Sequence, residues 1–259
     1  FQSEQYQKNV QFEFDHAKEV INSFRYDINK LVLSVHPGFN LNHHTLASEY
    51  KGENIKIVVF DLFEPKLLAN QREYYSDANI QVVQNFGDPV QLNHGNSVID
   101  IILSIAPHAT IIPVSAESNT YNQAMAYLEA RTDIHIINMS RAFSAVDNRL
   151  DPQFSQRLNK ILGRTIVTKS LGNTGTDLDE NITPLRQSLG LGASGNLFAY
   201  DLALIKEFLP TISTNTDNLL LAVNLDTFAE QIALNATIPG DNTLATSRSL
   251  GTPADAVYT

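Results

Sequence analysis

Four residues spread along the chain carry the groups that acyl transfer requires: Asp61, His94, Asn173 and Ser249. A serine hydroxyl is a poor nucleophile at neutral pH and needs a base. An imidazole is such a base, and a carboxylate beside it fixes its tautomer and stabilises the imidazolium. An asparagine amide and a backbone N–H beside the serine can hold the oxyanion that forms. Each residue also has a plainer reading. Asp61 follows an apolar run and suits a helix cap or a turn. His94-Gly95 opens a helix-like segment and suits a cap or a packed side chain. Asn173 lies between Gly172 and Gly175, where the backbone turns sharply. Ser249, among the small residues of A-T-S-R-S-L-G-T-P, is expected to head a helix, exposing its hydroxyl beside free N–H groups. What joins the four is their order and the shared mechanism.

The elements that must position them follow from apolar periodicity. Strands are expected at Ile55 to Phe60, Thr110 to Val114, Ile134 to Met139, Thr165 to Thr168 and Leu219 to Val223. Helices are expected at Val98 to Ile105, Tyr121 to Arg131 and Pro152 to Leu162, each with apolar residues three or four apart. Such alternation predicts an α/β fold: a doubly wound, mostly parallel sheet with helices on both faces. A further helix, Asp15 to about Leu31, falls in an N-terminal helical segment, 1–50, that packs on a domain spanning 51–259. Ligands of such sheets collect at the carboxyl ends of the strands, where Asp61 and Asn173 fall.

Composition narrows the partners. The 259 residues carry 18 Lys+Arg against 28 Asp+Glu, a formal charge of -10, and no basic cluster suited to phosphates, so nucleic acid is not an expected partner. No apolar run is long enough to span a membrane. With no cysteine, disulfides, thiolate catalysis and thiolate metal sites are all excluded.

Five blocks, in order, resemble the subtilisin-like serine protease family. I-K-I-V-V-F-D is similar to the strand ending in the family's triad Asp, and N-H-G-N-S-V-I-D to its H-G-T-H-V-A-G. I-I-N-M-S-R-A is similar to V-I-N-M-S-L-G, and S-L-G-N-T-G to A-A-G-N-x-G. S-R-S-L-G-T-P-A-D-A-V is similar to G-T-S-M-A-x-P-H-V-A, with the register on Ser249 and not Ser247. The resemblance implies a serine endopeptidase acting on polypeptides, with Asp61 as orienting acid, His94 as general base, Ser249 as nucleophile and Asn173 as oxyanion donor. It further implies that Ser140, Arg141 and Ala142 line the specificity pocket and that Glu117, Ser118 and Asn119 form the opposite edge, with an extended peptide between them as an added strand. It favours a secreted protein.

The chain also departs from that pattern. Ser247-Arg248 replaces the family's Gly-Thr before the nucleophile, and ten residues follow Ser249 where the family has a long helix. The domain therefore reads as truncated after the nucleophile, or as completed by a C-terminal segment or a second chain. These departures motivate an alternative, a catalytically silent fold that binds peptides or a protein partner; an unrelated α/β binding protein is a third reading. The segment between His94 and Pro107 is too short for the family's calcium loop, so no metal is expected there and no cofactor is required; calcium elsewhere stays open. Gly190 to Gly195 matches G-x-G-x-x-G but follows no strand, and His43-His44 lacks a third ligand. Arg141 stands where the family has an apolar residue. It narrows the cleft or favours an acidic substrate side chain, or else is a solvated Arg without a role in selectivity. Peptide series that differ in one acidic or apolar residue distinguish these: Arg141→Leu should lower kcat/KM on the acidic series alone, and equal effects on both would remove Arg141 from selectivity.

Overall fold

Every strand predicted from the sequence runs with apolar side chains on both of its faces, which requires cover on both sides. The computed structural model describes residues 51–87, 91–140, 152–171, 216–225 and 247–253, and it supplies that cover. The strands are β1 (Lys56–Phe60), β2 (Asn79–Ile80), β3 (Gln84–Phe86), β4 (Thr110–Ala116), β5 (Ile136–Met139), β6 (Ile166–Ser170), β7 (Leu219–Leu225) and β8 (Ser249–Pro253). The helices are α1 (Pro65–Tyr74), α2 (His94–Ile105), α3 (Tyr121–Ala130) and α4 (Pro152–Leu162). All strand pairs are parallel, in the order β2-β4-β1-β5-β6-β7-β8, with β3 also pairing β4. This is the doubly wound α/β fold expected. The helix expected near the start, with the whole segment 1–50, lies outside the described residues.

Side chains alternate across each strand, so two cores form. Val58 and Phe60 of β1, with Ile112, Val114, Ile137, Met139, Val167 and Leu221, pack under α3 and α4 through Met125, Leu128, Leu158 and Ile161. Ile57 and Val59, with Ile80 and Ile111, pack on the other face under α1 and α2 through Leu68, Ile99 and Leu103. The sheet is the shared wall of both.

The first core closes with a charged seam between α3 and α4. Glu129 of α3, 19% exposed, accepts from Lys160 of α4 at 2.7 Å and also pairs with Arg157. Arg164 donates to the Glu129 carbonyl at 2.6 Å. Lys160 first, then Arg157, holds the Glu129 carboxyl below its ordinary value, against the opposing effect of partial burial. A carboxyl lowered in the folded state adds stability above its unfolded value, and that contribution is lost as pH falls through the folded value. Glu129→Gln should therefore shrink the loss of unfolding free energy between about pH 6 and about pH 3, by less than about 1 kcal/mol because both cations remain partly solvated, and the fall in Tm over that range should shrink with it. An unchanged pH dependence of Tm would show the seam to be neutral.

Candidate active site

At the carboxyl end of β1 the chain leaves the sheet at Asp61, whose N–H still donates to the Val114 carbonyl at 3.0 Å. The Asp61 carboxylate is 2% exposed. A buried charge is tolerated only when its lone pairs are met, and both oxygens are. Oδ1 accepts the Leu62 N–H at 2.8 Å and Oδ2 lies 2.8 Å from Nδ1 of His94. Because a carboxylate only accepts, Nδ1 carries the proton, and Nε2 is the basic nitrogen of the neutral ring. The imidazole itself is 56% exposed. A buried carboxylate therefore orients a reachable base.

Gly95 makes this approach possible. Its N–H donates to the Leu62 carbonyl at 2.9 Å, which docks the first turn of α2 on the chain leaving β1. A Cβ there would lie 2.5 Å from Cε1 of Phe63 and 2.7 Å from the Leu62 oxygen, so only glycine fits. One residue on, Asn96 is 3% exposed and fastens the same turn to α1. Its Oδ1 accepts the Glu64 N–H at 2.9 Å and its Nδ2 donates to Oε1 of Gln71 at 3.0 Å. Gln71 Nε2 returns bonds to the Asn96 carbonyl and to Oδ1 of Asp100, both at 2.8 Å. Sequence reasoning passed over Asn96 and Gln71; buried amides leave no trace in apolar periodicity, and only the adjacency of Asn96 to His94-Gly95 hinted at it.

Register places the remaining candidates. Val59 pairs with Asn138, which pairs with Thr168, so these three share the α2 face of the sheet. Carried two residues on, the same register sets Asp61, Ser140 and Ser170 in one row across β1, β5 and β6, at about 4.8 Å per strand. Ser140 Oγ donates to Oδ1 of Asn138 at 2.8 Å, and Asn138 Nδ2 donates to Oγ1 of Thr168 at 3.2 Å. On the other side of β1, Glu117, Ser118 and Asn119 follow the end of β4. The Glu117 N–H donates to Oγ1 of Thr120 at 3.0 Å and the Glu117 side chain accepts in return, a reciprocal cap that fixes this edge. Ser140 and the 117–119 turn thus flank Asp61 on either side.

Ser249 is placed differently from the sequence expectation. It opens strand β8 and does not head a helix. It pairs with Leu221, in a row continued by Lys169 and Met139. Four strand spacings, about 19 Å, separate β8 from β1. The structure brings Asp61 and His94 together, and it sets Ser249 on a strand four places along the sheet from β1. Arg141, Ala142 and Asn173 lie outside the described residues, as do His43, His44 and Gly190 to Gly195. Among the described residues no group of three His, Asp or Glu could hold a metal ion, and no helix is long and apolar enough to cross a membrane.

No family model matches this chain, and no curated protein does. Among solved structures it resembles the prenylagaramide maturation protease PagA, with a TM-score of 0.53 and 13% identity over 82% of this chain and 68% of that one. The two share a mostly parallel α/β fold. At that identity the likeness concerns the path of the backbone, while the Asp61–His94 pair is a property of this chain's own side chains.

Gly95→Ala tests the docking that makes the pair. The added methyl meets a backbone oxygen that cannot move cheaply, so a stability loss of about 1–3 kcal/mol is expected. The downfield proton resonance of a histidine Nδ1–H held by a carboxylate should vanish with it. A folded variant that keeps this resonance would show that α2 can shift without parting His94 from Asp61.

Proposed function

We propose that the chain is a serine-type peptide hydrolase of the subtilisin kind, with Asp61 orienting and His94 acting as general base. The observation that carries this reading is the 2.8 Å contact between a buried carboxylate and the Nδ1 of a half-exposed imidazole at the carboxyl edge of the sheet. The PagA-like fold supports it at the level of a peptidase. In this mechanism Nε2 takes the hydroxyl proton as the serine oxygen bonds to the scissile carbonyl carbon. The oxyanion then collapses, the C–N bond breaks, and Nε2 returns its proton to the departing amine. Water attacks the acyl-enzyme with His94 again as base, releasing the acid and restoring the hydroxyl. Asn173 is the proposed oxyanion donor, after the G-N-T-G block.

The nucleophile in this reading reaches His94 across the α2 face of β5 and β6, where Asn138, Ser140, Thr168 and Ser170 are only half-buried. The place of β8 in the sheet order, four strands from β1, supports a serine other than Ser249 in that role. The separation also favours a second reading, a fold that binds peptides without cleaving them.

A fluorophosphonate probe on the full chain, followed by peptide mapping, decides between them. The expected result is one labelled serine outside the peptide containing Ser249, labelling retained in Ser249→Ala, and labelling reduced by at least about 100-fold in His94→Ala. Labelling at Ser249 itself would reinstate it as nucleophile. Absence of labelling in folded protein that still binds peptides would leave the binding reading.

A further inference from the structure

Ser115 of β4 is 2% exposed and its Oγ has no hydrogen-bond partner; no other serine hydroxyl among the described residues is buried without one. A buried hydroxyl left unmet is costly, and an alanine would fill the same place without that cost. Such a group calls for a physical account.

Register gives its surroundings. Phe60 pairs with Val114, and the Asp61 N–H donates to the Val114 carbonyl at 3.0 Å, so the ladder sets Asp61 beside Ser115, one strand spacing of about 4.8 Å away. Both side chains belong to the α2 face, because Ser115 lies four residues beyond Ile111 and Asp61 two beyond Val59. On the other side of Ser115, Asn85 of β3 is exposed and makes no bond to it. Turning the serine from one staggered well to another moves its Oγ by about 2 Å, which is enough to direct it at the Asp61 carboxylate. Each oxygen of that carboxylate has a lone pair left after its bond to Leu62 or to His94.

What decides when this second bond is needed is the imidazole. The ring is 56% exposed while the carboxylate is 2% exposed, so the ring can turn toward solvent and the carboxylate cannot follow. A charge left behind in the sheet then requires another donor. Ser115 is the buried hydroxyl beside it.

We propose that Ser115 is a positioning residue, a reserve donor that meets the Asp61 carboxylate when the His94 ring turns away and stands unmet while the ring is in place. The proposal rests on reading Asp61 and His94 as the working pair of the site. It gives the pair two states with the buried charge matched in both, and Ser115 sets how readily the ring leaves.

The test follows, by NMR on the full chain, the exchange with water of the His94 Nδ1 proton, which is released when the ring turns out. Ser115→Ala removes the reserve donor and the unmet hydroxyl together, and both effects favour the ring in place. Exchange should slow by about tenfold, and Ser115→Thr, which keeps a hydroxyl, should restore the faster rate. The urea midpoint supplies a second measurement. Ser115→Ala should raise it in the unmodified chain and lower it in the His94→Ala chain, where the carboxylate has lost its imidazole and depends on the hydroxyl. A midpoint change of the same sign in both chains, or exchange as fast in Ser115→Ala as in the unmodified chain, overturns the proposal. Because His94→Ala can fail to fold, the exchange rate carries the decision. Neither readout requires turnover, so a chain that gives both results and cleaves no peptide would overturn the hydrolase reading and leave this one standing.

Discussion

An ionised carboxylate at the end of a buried strand has to be matched in every direction, and much of the architecture around Asp61 follows from that requirement. One oxygen is met by the next backbone N–H, which costs nothing in chain length but forces the chain to turn as it leaves β1. The other oxygen needs a donor from elsewhere, and α2 supplies it by starting with His94 against the sheet. For the helix to begin so close, the following residue must lack a side chain, which is the role of Gly95. Removing His94 would leave an unpaired charge in the second core, so the pair carries structural weight apart from chemistry.

The same demand explains a polar seam where an apolar one would ordinarily stabilise more. Asn96 and Gln71 are buried amides, and buried amides are tolerated only with their bonds made. Their reciprocal bonds fix the rotation of α2 about its axis as well as its distance from α1. A greasy contact between these helices would allow sliding. A pair of amides with defined donors and acceptors holds one register, and His94 inherits the orientation.

The central strands and three of the helices were legible in the sequence because each carries apolar residues on faces that are buried, as at Ile57 to Phe60 and at Leu158, Ile161 and Leu162. The sequence pattern gave no sign of α1, whose buried residues are Leu68 and Gln71 alone, so its apolar periodicity is too thin to detect. Strands β2 and β3, of two and three residues, are shorter than any alternation can register. Strand β6 runs two residues beyond the expected Thr168 because Lys169 continues it as a buried side chain, a choice that tertiary context makes and local preference does not. Of the site, Asp61 and His94 were read from short blocks with fixed local geometry. Ser249 was read from a block of small residues, which suits a helix start and an edge strand equally, and pairing with β7 favoured the strand.

The two faces of the sheet differ where β5, β6 and β7 meet them. Toward α3 and α4, residues 137, 139, 167, 169, 171, 219, 221 and 223 are all buried, and Lys169 interrupts an otherwise apolar layer. Toward α2, Ile166 is 41% exposed and the neighbouring Asn138, Ser140, Thr168 and Ser170 are polar and half-buried. Among the described residues the sheet therefore has one packed wall and one half-exposed polar wall. The hydroxyls and amides on that wall point outward from strands whose backs are locked in the core, so they are held at fixed spacing without needing loops to hold them. A sheet built this way keeps its rigidity in the apolar layer, and Lys169, buried in that layer, ties its ammonium to the carbonyl and hydroxyl of Ser170.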